Sequence, residues 1–111
     1  MIDWDRVREL QEELGEDEFT PVLELFFDEL EEVAMRLRGR SCAQLEADLH
    51  FLKGSALNLG LKSFAALCSQ GEKESHDGQQ IDLGCLLTSY SEAKRALIAG
   101  LNPPPCAAGV A

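Results

Sequence analysis

Phe19, Leu23, Phe26, Leu30, Val33 and Leu37 follow one another at alternating steps of four and three residues. That spacing makes the apolar seam of a bundle helix, whereas a half-buried strand alternates every second residue. The same step recurs elsewhere in the chain. Trp4, Val7, Leu10 and Leu14 mark a short helix over residues 3–14, closed by Gly15. Asp17 is placed to cap the long helix, with Pro21 tolerated in its first turn and Gly39 at its end. Ser41 caps a third helix that ends near Gly60, and its stripe is Leu45, Leu49, Leu52, Ala56 and Leu59. Leu61, Phe64, Leu67, Cys68 and Gly71 face inward around a helix over residues 62–74, followed by a loop over 76–80. Asp82 caps the last helix, over residues 83–101, which turns Leu83, Leu86, Leu87, Tyr90, Ala93 and Leu97 to the core.

Strand and hairpin signals are absent. The predicted fold is therefore all-α, and short connections make sequential helices antiparallel. The expected architecture is an up-down-up-down four-helix bundle with an additional short N-terminal helix, one domain over residues 1–101. Residues 102–111 open with Asn102 and three prolines, cannot extend a helix, and are expected to form a disordered tail.

The net charge of −10 makes nucleic acid and anionic membrane surfaces poor partners. The acidic run Glu24, Asp28, Glu29, Glu31 and Glu32 reads as a solvated outer face. No apolar run approaches the ~20 residues of a membrane span, and the N-terminus lacks the basic start and apolar stretch of a signal peptide. Cys42, Cys68, Cys85 and Cys106 form no C-x-x-C pair and read as buried or idle thiols. A cytoplasmic, free-standing monomer is the expectation.

The third helix carries an anomaly. Gly54 sits in its middle, where glycine costs about 1 kcal/mol relative to alanine. At ~100° per residue, His50, Lys53, Gly54 and Leu57 share a stripe about a third of a turn from the buried one. Ala43 and Glu46 continue that stripe toward the N-terminus. His50 is thus expected at the surface beside the seam. An imidazole can attack through one ring nitrogen while the other is held by a hydrogen bond. Lys53 offers an ammonium to an anion bound there, Gly54 leaves room for a partner, and Leu57 gives that partner an apolar foothold. Such a patch suits a histidine that transiently carries a phosphoryl group. Glu46 and His50 are spaced to share a metal, but the Glu-x-x-His pairs of di-metal bundles are missing, so no metal is expected. His76 falls among loop residues and is given no role.

The segment His50-Phe51-Leu52-Lys53-Gly54-Ser55-Ala56-Leu57-Asn58-Leu59-Gly60 resembles H-x-L-K-G-S-A-x-x-L/I-G, the signature of the histidine-containing phosphotransfer domains of two-component phosphorelays. The resemblance extends from the Gly-Glu-Asp-Glu-Phe stretch at residues 15–19 to about Leu101. It implies that His50 takes a phosphoryl group on Nε2 from the aspartate of one receiver domain and passes it to another. Lys53 would offset phosphate charge and Gly54 would admit the receiver. Glu46, Ala47, Phe51, Leu57 and Asn58 are the expected docking surface. The domain would need no cofactor of its own, Mg²⁺ being supplied by the receiver, and would be a phosphocarrier rather than an enzyme with an ATP site. Two other readings share the fold: a receiver-binding scaffold or inhibitor without transfer, and the phosphoacceptor domain of a chemotaxis-type histidine kinase. Leu49 and Phe51 depart from the family, which favours a small residue before the histidine and a polar one after it. The side chain that holds the other ring nitrogen of His50 is not legible in the sequence.

Overall fold

The computed structural model describes residues 2–101, which form four helices. α1 runs Trp4–Met35, α2 Cys42–Leu59, α3 Lys62–His76 and α4 Leu83–Leu101. Each helix packs against the one before it, and α2 with α3 is the tightest pair. The fold is the expected all-α bundle. Expectations for residues 102–111 and for Cys106 lie outside the described residues.

The short N-terminal helix and the long one are joined without a loop. Gly15 alone leaves helical geometry, at φ 78° and ψ 165°, and α1 continues on either side. Asp17 is therefore inside the helix and not at a cap. The N-terminal arm is fastened at its far end. The Asp3 N–H donates to the Gly60 carbonyl at 2.7 Å, Ile2 bridges Leu61, and Arg6 Nε donates to the Asn58 carbonyl at 3.1 Å. Gly60 is required there twice over. It caps α2 at φ +81°, and a Cβ on it would lie 2.7 Å from the Asp3 carbonyl oxygen.

The core contains Leu10, Leu23, Leu30, Leu49, Leu52, Phe64, Cys68 and Leu97, all buried. The α1 seam differs at one position: Phe27 is 5% exposed, while Phe26 is only partly buried at the flank. Projected at ~100° per residue, positions 26 and 27 flank the stripe set by Phe19, Leu23 and Leu30 on opposite sides, so the projection alone does not choose between them.

Ser41 begins α2 with a reciprocal cap. Its hydroxyl accepts from the Gln44 N–H at 3.3 Å, and the Gln44 side chain accepts from the Ser41 N–H at 3.0 Å. One turn further, buried Asp48 accepts from Arg36 at 3.2 Å and from Arg40 at 3.1 Å. Those two bonds tie the α1–α2 connection to the helix that bears His50. α3 runs to His76, two residues beyond the expected end, because nothing breaks the helix before Gly78 turns the chain at φ +75°. Asp82 Oδ1 accepts from the Cys85 N–H at 2.9 Å, the expected cap of α4.

Candidate functional site

The site lies on the α2–α3 pair, the most extensively packed pair of helices. Leu49 is fully buried against Gly71, and a Cβ on residue 71 would fall 3.2 Å from Leu49 Cδ1. Missing bulk on α3 thus accommodates the larger residue that precedes the histidine. His50, the next residue, is carried to the rim of the pair, where its side chain is 70% exposed.

There it meets a residue that the sequence reading did not name. Glu72, next to Gly71, places Oε1 at 2.9 Å from His50 Nδ1 and Oε2 at 3.2 Å from Lys53 Nζ. One carboxylate therefore holds both polar residues of the α2 stripe. Partial burial is the largest single influence on Glu72 and acts to raise its pKa. The hydrogen bonds and charges of Lys53 and His50 together outweigh it, so the carboxyl titrates below its ordinary value. An ionised carboxylate can only accept, so Nδ1 of His50 carries the donated proton, and in the neutral ring the lone pair is then on Nε2. No spacing in the sequence pointed to Glu72, which stands 22 residues from His50.

Gly54 behaves as the α2 projection requires. A Cβ there would meet nothing within 4 Å, so no neighbour in the chain explains the missing side chain. Leu57 is 54% exposed and Phe51 41% exposed, on either flank of the histidine. Ala47 and Asn58 are also exposed. Glu46 is half-buried and engaged: its Oε1 lies 3.3 Å from Nδ1 of His76. His76 is therefore not a loop residue without contacts. Glu46 and His50 on α2 pair crosswise with His76 and Glu72 on α3, each helix offering glutamate and histidine four residues apart. Among the described residues, no group of three or more His, Cys, Asp or Glu side chains is placed to hold a metal ion.

The thiols stand apart from the site. Cys68 is buried, and burial first, then the charge of Glu72, push it up to about 12, so it stays protonated. Cys42 and Cys85 are exposed and free. Among the described residues, no helix is long and apolar enough to cross a membrane.

The helical bundle thus presents a surface histidine, a lysine one turn on and a carboxylate behind both. The profile of one family, the Hpt domain, matches residues 21–96, and the chain belongs to that family. Its members are histidine phosphotransfer modules of phosphorelays, signalling carriers that meet receiver domains. The matched span contains His50, Lys53, Gly54 and Glu72. Comparison with curated proteins and with solved structures yields no match.

Proposed function

We propose that this chain is a phosphorelay intermediate in which His50 accepts a phosphoryl group from a receiver aspartate and delivers it to the aspartate of a second receiver. The observation that carries the reading is the hold of Glu72 on Nδ1, which leaves Nε2 as the nucleophilic nitrogen on the open side of the ring. In the accepting step, Nε2 forms a bond to phosphorus as the acyl phosphate P–O bond breaks. The electron pair of that bond returns to the receiver's carboxylate. The Nδ1 proton stays between imidazole and Glu72, so the cationic phosphoimidazole is met by a negative charge. Delivery runs the same steps in reverse on the second receiver.

Lys53 supports the reading through its position. It rests on Glu72, one turn from His50, and its ammonium is within side-chain reach of a phosphate on Nε2. Gly54 and Leu57 supply space and apolar surface for docking, with Phe51, Ala47 and Asn58 around them. Mg²⁺ is proposed to come with the receiver, since phosphoryl transfer needs a charge clamp and the site offers a single ammonium.

The test is incubation with a phosphorylated receiver, followed by assay for acid-labile, alkali-stable label. Wild type should take up label, and His50→Gln should take up none. Failure of wild type to accept from any receiver would overturn the proposal, and label persisting in His50→Gln would move the acceptor elsewhere.

A further inference from the structure

Among the described residues, the bundle is open along one edge, the seam between α1 and α4, on the side away from His50. These helices approach less closely than the sequential pairs, and long side chains span the gap. The Tyr90 hydroxyl donates to Glu31 at 2.7 Å, Lys94 bonds the same carboxylate, and the Lys94 ammonium sits 4.9 Å from the centroid of the Phe27 ring. Shallow grooves floored by apolar side chains lie on either side of Lys94. Met35 is 83% exposed and Ile98 42% exposed along them, more apolar surface than the seam needs for its own packing.

Charge along this seam is polarised. The groove toward the N-terminal half of α1 is rimmed by Glu16, Glu24 and Asp28, and the other by Arg38 and Arg95. None of these five makes an ion pair among the described residues. In a chain of net charge −10, unpaired arginines gathered at one apolar groove are unusual. The two ends lie on opposite sides of Glu31, the acidic one on α1 and Arg38 in the turn just past the end of α1. Glu24 precedes Glu31 by seven residues and Arg38 follows it by seven.

A surface with one acidic end and one basic end, joined by apolar side chains and the internally paired Glu31 and Lys94, is complementary to itself when turned end for end. A two-fold axis crossing the seam at the level of Glu31 lays α1 antiparallel over its copy. It brings Glu24 of each chain to Arg38 of the other, as an isologous interface requires. A partner of uniform charge would satisfy only one of the two ends. We propose that the α1–α4 seam is a self-association surface, and that two copies of this chain pair through it with the His50 faces outward. This departs from the monomer expected from sequence, because the polarity emerges only when α1 and α4 are set side by side. A receiver could engage each copy, since the seam shares no residue with the α2–α3 site.

Sedimentation equilibrium on the full chain tests this, over a range of protein concentrations and at low and high salt. The mass should double with concentration, less readily in high salt. Arg38→Glu and Glu24→Arg, each folded by circular dichroism, should each stay monomeric. An equimolar mixture of the two variants should dimerise, because one cross-pair is then the native Glu24–Arg38 pair and the other is restored with reversed sign. Wild type that remains monomeric at every concentration in low salt overturns the proposal. So do dimers indifferent to either charge reversal, or a mixture that stays monomeric.

Discussion

Glu72 Oε1 lies 2.9 Å from Nδ1 of His50, while the other oxygen of the same carboxylate lies 3.2 Å from Nζ of Lys53. A residue on α3 thereby orients two residues of α2 that stand three apart. Removing it should leave the nucleophile present but unheld. A hydrogen bond to a charged group is worth roughly 1.5–3 kcal/mol, which corresponds to about a ten- to hundredfold slower transfer. Glu72→Ala should show that loss in stopped-flow transfer from a phosphorylated receiver, with receiver affinity little changed. A nitrogen-detected NMR titration should show the proton no longer confined to Nδ1.

The Leu49–Gly71 contact sets how close α3 comes to the histidine. Gly71→Val would force β-branched bulk against Leu49, whose Cδ1 already stands 3.2 Å from where a Cβ would go. Overpacking of this kind costs about 1–3 kcal/mol. Urea unfolding should record that loss, and transfer should slow with it because Glu72 is carried away from His50. Gly71→Val combined with Leu49→Ala should recover part of both.

Gly54 should behave in the opposite way. With nothing within 4 Å of its Cβ position, Gly54→Ala should stabilise the fold by up to about 1 kcal/mol through helix propensity alone. Gly54→Leu should also fold, yet occupy the space a receiver needs. A blocked central contact costs roughly 2 kcal/mol or more, about thirtyfold in Kd. Thermal melts and calorimetric titration with a receiver should move in opposite directions. A Gly54→Leu protein that binds and transfers normally would show that the gap serves no partner.

Acid should loosen the molecule through two carboxylates. Glu31 is lowered by its hydrogen bonds to Lys94 and then Tyr90, and Glu72 is lowered by Lys53 and His50 against the opposing effect of burial. A depressed folded pKa means stability that is present above the unfolded value of ~4.3 and lost as pH falls through the lowered folded values. Urea midpoints should therefore hold near neutrality and decline below about pH 4–5. Glu31→Gln should start less stable and lose less on acidification. Tyr90 acts at the other end. Burial, then the carboxylate of Glu31, hold its phenol protonated above the ordinary value, so that contribution is complete below ~10 and lost in strong alkali. Tyrosinate absorbance should rise together with unfolding.

Much of the architecture is legible in one dimension because helix seams repeat within a few residues. The stripe Leu45, Leu49, Leu52, Ala56 and Leu59 places His50 beside the core, and the exposure of His50, Leu57 and Phe51 agrees. The caps at Ser41, Gly60 and Asp82 follow from local hydrogen bonding and are formed. The break at Gly15 was legible; that the helix resumes at once beyond it, with Asp17 inside, and the choice of Phe27 over Phe26 were not, since both depend on how the rest of the bundle covers α1.

The signature from His50 to Gly60 and the charge of −10 are properties of the chain itself, and from them the family, the helix carrying the histidine and its exposed face could be derived. What the tertiary structure alone decided is the company His50 keeps. Glu72 stands 22 residues away, and no spacing rule connects it to His50. Only the close packing of Leu49 on Gly71 brings that carboxylate to the imidazole, because a contact between helices depends on how two surfaces meet and not on the period of either one.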